Sequence, residues 1–112
     1  MTGATKKTEQ AMMLRLKDFS EFPGGRYRED GPKSGQEYRE DVLMPTLKEH
    51  GKITVDLSGV FTVAPSFLDE AFGGLARELG GTKKFRERVS VTADDDPDAI
   101  KELDEILNRL RL

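Results

Sequence analysis

Ser66 is the residue in this chain best placed to do chemistry. It follows Ala64-Pro65, where the proline biases Ala64 away from helical angles, and it precedes a run with helical periodicity. A serine there is a good N-cap, contributing about 1 kcal/mol. The position also suits regulation: a helix start offers unpaired amides and positive potential, and a phosphate on the hydroxyl adds about −2 charge and new acceptors. A second group, Arg26, Arg28, Lys33 and the Ser34-Gly35 helix start, with Arg39 one turn further on, has the types that surround a phosphate or carboxylate. The spacing is not that of a P-loop, because the lysine precedes the serine without the glycine that should come before it. The alternative is a glycine-rich turn whose arginines pair with Glu29, Asp30 or Glu37.

Other candidates read as structural. Asp69 and Glu70 are adjacent on a helix and point in different directions, so they complement the dipole of a first turn better than they form a catalytic carboxylate pair. Asp94, Asp95, Asp96 and Asp98 lack the glycine and terminal glutamate of a calcium loop and suit the start of a helix. His50, the only histidine, closes a helix and has no nucleophile or ligand partner in the sequence. No catalytic residue, metal site or cofactor is expected.

The elements that must position these residues follow from periodicity. Met12 to Phe19 alternates Leu14 and Leu16 with Arg15 and Lys17, the pattern of a half-exposed strand. The stretch Phe22 to Gly35 holds four Gly and two Pro among fourteen residues, too many breakers for a regular element. Ser34 and Glu37 have the capping-box spacing, so a helix begins there and buries Tyr38, Val42, Leu43 and Leu47. Pro45 should kink that helix or restart it near Met44, and His50-Gly51 closes it. Ile53 to Leu57 alternates again as the central strand. Val60 to Ala64 stays extended, and a helix opening at Ser66 carries Leu68, Phe72, Leu75 and Leu79 on one stripe until Gly80-Gly81. A short turn over Lys83 to Glu87, a strand from Arg88 to Thr92, and a final helix with Ile100, Leu103, Ile106, Leu107 and Leu110 inward complete the pass.

The 112 residues are one domain's worth, from residue 12 to 112, behind a polar lead at 1–11 that reads as disordered or tag-derived. Without Cys or Trp there is no disulfide scaffold and no thiolate nucleophile, as befits a cytoplasmic protein. No apolar run approaches the roughly 20 residues of a membrane span. The net charge of −3, with both signs interspersed, gives no field that would attract nucleic acid. Alternating strands and helices predict an α/β fold with a mixed or mostly parallel sheet. Clean alternation within each strand places the helices mainly on one face: Leu14, Leu16, Ile53, Val55, Leu57, Val89 and Val91 point to them, and Arg15, Lys17, Thr54, Asp56, Ser90 and Thr92 point away.

The stretch VDLSGVFTVAPSFLDEAFGGL resembles the strand, loop and helix at the heart of STAS domains, the fold of anti-sigma factor antagonists. More closely, LKDFSEFPGGRY, GPKSGQEYRE, VLMPTL and SFLDEAFGGL together resemble a small bacterial STAS-like family of unknown function, with its GP-x-SG-x-x-[FY]R and SF-x-[DE]EAFG motifs, from about Leu14 to Ile100. The resemblance implies a non-enzymatic regulatory domain. In the antagonists a partner kinase phosphorylates a hydroxyl residue at the position of Ser66, and this controls binding. It further implies an ATPase partner of the anti-sigma or histidine-kinase-like type, contacting Phe61, Phe67, Asp69 and Glu70. The chain departs from the antagonist pattern at Ala64-Pro65 and at Phe67, which stands in place of a glycine and would either obstruct a kinase or anchor a partner. The competing class of function is binding of a nucleotide, phosphate or other small anion by the glycine- and arginine-rich loop at 24–35.

Overall fold

The computed structural model describes residues 11–110, so the lead expected at 1–11 falls, apart from Ala11, outside the described residues. Three four-residue strands, β1 (Met12–Arg15), β2 (Ile53–Asp56) and β3 (Val89–Thr92), form a parallel sheet in the order β1-β2-β3. Ile53 pairs with Met12 on one side and with Val89 on the other, which puts β2 in the centre. Four helices accompany it: α1 (35–50), α2 (65–79), α3 (Thr82–Arg88) and α4 (Pro97–Arg109).

The helices lie on one face of the sheet. Ile53, Val55 and Val89 are buried, whereas Ser90 and Thr92 are exposed and Thr54 and Asp56 half-buried on the other face. Leu16, Leu57, Phe67, Phe72, Leu75, Phe85, Leu103 and Leu107 join the strand residues in one core. Through its middle runs a chain of aromatic rings: Phe19 to Tyr38 at 4.7 Å, Tyr38 to Phe72 at 6.5 Å, and Phe72 to Phe85 at 6.5 Å.

Two elements differ from their sequence expectation. The strand expected through Phe19 ends at Arg15, and Leu16–Asp18 forms a 3-10 turn whose Leu16 carbonyl accepts the amides of Phe19 and Ser20. Leu16 stays fully buried, and the turn carries Phe19 onto Tyr38. The turn expected over Lys83 to Glu87 is the helix α3, which displaces the start of β3 to Val89. Its single buried side chain, Phe85, has charged residues on both sides and so leaves no periodic signature.

Both long helices contain a π-turn. In α1, Gly35–Tyr38 is α-helical, Arg39–Leu43 is a π-turn closed by the Met44 amide on the Arg39 carbonyl, and Met44–His50 resumes the α-helix. Pro45 is the cause predicted from the sequence, since it cannot donate to the Asp41 carbonyl. The second π-turn, Asp69–Gly73 in α2, follows Pro65–Leu68 and precedes Gly74–Leu79, and no proline marks it.

Candidate functional site

The breaker-rich loop passes between the N-termini of α1 and α2 and is bonded to both. The carbonyls of Gly25 and Arg26 accept the first amides of α1, from Gly35 at 2.8 Å and Gln36 at 3.0 Å. On the other side, Glu21 and Pro23 accept the amides of Phe61 at 2.9 Å and Ala64 at 3.1 Å. The Ser66 hydroxyl adds a side-chain tether by donating to the Gly24 carbonyl at 3.0 Å, across 42 positions of sequence.

Ser66 is therefore not the N-cap expected from the sequence. Ala64 caps α2 with extended angles (φ −69°, ψ 143°), and its carbonyl accepts the amides of Phe67 and Leu68. Pro65 takes the first helical position, where its fixed φ suits a helix and its missing N–H costs nothing. One residue further in, Ser66 is half-buried and its hydroxyl is spent on the loop. It opens onto a depression of about 340 Å³ that also borders Arg26, Asp69, Arg77, Glu102 and Arg109.

The arginines expected to hold an anion are neutralised by carboxylates of the chain itself. Arg26 meets Asp69 at 2.6 Å. Arg28 reaches Glu40 at 3.1 Å and Asp41 at 2.8 Å. Arg39, 9% exposed, meets the Glu70 carboxylate at 2.6 Å. None of these carboxylates is Glu29, Asp30 or Glu37, the partners expected from the loop's own sequence. Helix α1 offers an anion no open amide at its start either: besides the two loop carbonyls, Ser34 Oγ accepts from Glu37 N, and Glu37 Oε1 accepts from Lys33 N rather than closing the capping box on Ser34. Ser34 and Gly35 are buried, and Lys33 lies with its Nζ 4.8 Å from the centre of the Phe19 ring.

Arg39 joins the two π-turns. The amide of Gly74 bonds to the carbonyls of Asp69 and Ala71, passing over the Glu70 carbonyl between them. That oxygen takes Arg39 Nη1 at 2.6 Å, and the guanidinium lies over Gly74, filling the space where a Cβ would stand. Arg39 Nε is 3.1 Å from Glu78 Oε2, yet its N–H is not aligned on that oxygen and has no other acceptor among the described residues.

The residues expected to contact a partner divide sharply. Phe67 is fully buried, 5.9 Å from Tyr38 and 6.4 Å from Phe19, so it anchors the core and offers nothing to a partner. The carboxylates of Asp69 and Glu70 are held by Arg26 and Arg39. Phe61 remains, 78% exposed, and it stacks on Phe22, 65% exposed, with ring centres 4.8 Å apart and planes within 11°. Sequence reasoning missed Phe22, Arg77 and Arg109. The one available signal was a phenylalanine beside Pro23 in a segment with too many breakers to bury it. The aspartates play the expected structural part: Asp96 caps α4 through the Ala99 amide, and Asp95 accepts the amide of Gly59. Among the described residues no group of three or more potential ligands gathers around a metal position, and no helix is long and apolar enough to cross a membrane.

A parallel sheet covered on one face, with a helix opening beside the loop after the central strand, is consistent with a STAS-like domain. The family model described as a STAS-like domain of unknown function matches residues 34–99, more than half of the chain. The chain belongs to that family. No curated protein and no solved structure matches it.

Proposed function

We propose that this is a non-enzymatic regulatory domain that binds a protein partner, an ATPase of the anti-sigma or histidine-kinase-like type, through the surface around the start of α2, and that phosphorylation of Ser66 switches the contact. The observation that carries this reading is the Ser66 tether. A hydroxyl that donates to Gly24 across the loop becomes, once esterified, a group with no proton to donate and about two negative charges. The phosphate would release the loop at Gly24 and compete with Asp69 for Arg26, with Arg77 and Arg109 bordering the same depression. The exposed Phe22–Phe61 stack sits on the two segments joined by the Phe61–Glu21 hydrogen bond, so loop release reaches the aromatic surface directly.

The anion-binding alternative draws no support from this geometry, since Arg26, Arg28 and Arg39 are all paired with carboxylates. The test is recovery of the tagged protein from its own cells, with identification of what accompanies it and mass measurement of the Ser66 peptide. An ATPase partner, together with a mass increase of about 80 daltons on that peptide, is the expected result. Equal partner affinity for the wild type and Ser66→Asp would sink the switch.

A further inference from the structure

A second surface shares no residue with the Ser66 depression. Strand β1 is an edge of the sheet. In its parallel register with β2 the Met12 amide donates to the Lys52 carbonyl at 3.0 Å, so Met12 and Leu14 turn their backbone groups inward and Met13 and Arg15 turn theirs to the outer edge. Among the described residues these outer groups have no backbone partner. Met12 and Met13 are 38% and 53% exposed, unusual for large apolar side chains on an edge that nothing uses.

Alongside that edge lies a cleft of about 520 Å³ between β1 and α1, with Leu14, Phe19 and Val42 as its apolar wall and Asp18, Arg15 and Lys33 around it. Its size falls within the range of about 300–1,000 Å³ typical of ligand sites. Tyr38 also lines it, and although the side chain is 1% exposed, its hydroxyl has no hydrogen-bond partner among the described residues. Buried hydroxyls almost always find a partner, and this one has less than 1 Å² of open surface, so an acceptor in the cleft reaches it through a small shift of the wall. Burial and the nearby Asp18 carboxylate raise the Tyr38 pKa, which keeps the hydroxyl protonated as a donor.

We infer that the β1 edge and this cleft bind an extended segment of a partner polypeptide, which adds a strand through the backbone groups of Met13 and Arg15 and places an apolar side chain and a carboxylate in the cleft. Strand addition supplies affinity through the main chain, and the pocket beside it reads alternate side chains. The carboxylate follows from charge: Arg15 and Lys33 outnumber Asp18 around the cleft, although the whole chain is net negative. The same excess of positive charge disfavours a second copy presenting its own β1 edge, since that would bring two such clefts together.

The test uses the full chain as bait for a displayed library of random peptides about nine residues long, enough to cover the strand. Met13→Pro serves as the paired bait, because it removes one outward N–H and leaves the ladder to β2 intact. Peptides carrying Asp, Glu or a free C-terminus should be enriched on the wild type over Met13→Pro. When bound, they should slow amide exchange at Met13 and Arg15 about tenfold or more. Tyr38→Phe should bind them about tenfold more weakly, the size of one hydrogen bond to a charged group, with no loss of thermal stability. The inference is overturned by equal enrichment on both baits, by peptides that protect the Phe22–Phe61 region instead, or by protection of Met13 and Arg15 in the absence of peptide. Equal peptide affinity for the wild type and Tyr38→Phe would remove the role given to the hydroxyl.

Discussion

Arg39 links the two π-turns through its side chain. It neutralises Glu70, whose side chain is 14% exposed, and satisfies a carbonyl that the π-turn leaves over. Removing it leaves a half-buried carboxylate with only Arg26, at 3.8 Å, and a backbone oxygen without its side-chain donor, so Arg39→Met should destabilise the fold by about 2 kcal/mol, read as a lower urea midpoint. Arg39→Lys should recover only part of this: both bonds to Glu70 come from Nη1, which an ammonium can replace as a donor, but the shorter lysine lacks the planar group that packs over Gly74 and the Nε that approaches Glu78. An unchanged midpoint in Arg39→Met would show that the two helices hold together without it. Tyr38 supports a pH prediction. Its folded-state pKa is raised by burial and by Asp18, so the neutral form is favoured in the fold. Below the ordinary tyrosine value of about 10 both folded and unfolded states keep the proton, and stability is unaffected. Above it the unfolded chain ionises first, and stability should fall by about 1.4 kcal/mol per pH unit. Tyr38→Phe should flatten that alkaline limb in denaturant titrations at pH 9 to 11. An equally steep fall in the variant would place the cause elsewhere.

The elements that position the site depend on close backbone approach. A Cβ on Gly35 would stand 2.9 Å from the Phe67 carbonyl and 3.1 Å from Glu70 Cβ, so α1 and α2 are as near as a glycine permits. Gly35→Ala should push them apart and cost about 1–3 kcal/mol by thermal unfolding, despite the higher helix propensity of alanine. A stabilised variant would refute that contact. The aromatic stack should behave in the opposite way. Phe22 and Phe61 bury little against the core, so Phe22→Ser with Phe61→Ser should shift stability by less than about 1 kcal/mol. The double variant should instead lose partner binding, and full binding would exclude the stack from the contact surface. Pro45 made the first π-turn legible in the sequence as a kink near Met44. The second was not legible, because Gly73-Gly74 shows only that something can approach, and Arg39 arrives from a helix some 30 positions away.

One core joins all three strands to side chains from all four helices, and β1 reaches its partner only across the intervening loop and α1. The molecule should therefore unfold in one cooperative transition, with far-ultraviolet and tyrosine near-ultraviolet signals coincident. Separate midpoints would mean that α3 and α4 melt apart from the sheet. What the sequence by itself determined are the features with a local physical cause: strand alternation, the stripe on α2, proline and glycine punctuation, and from these an α/β fold with helices on one face. Leu14, Ile53, Val55 and Val89 were assigned correctly because period two is a property of a strand alone. Only the tertiary structure decided which carboxylate each arginine meets, that Phe67 turns inward, that Ser66 ties a loop instead of capping its helix, and that Tyr38 keeps a hydroxyl without a partner. Each of these depends on how separate elements pack, from 12 positions apart for Arg28 and Glu40 to 43 for Arg26 and Asp69, and no period or spacing along the chain encodes that packing.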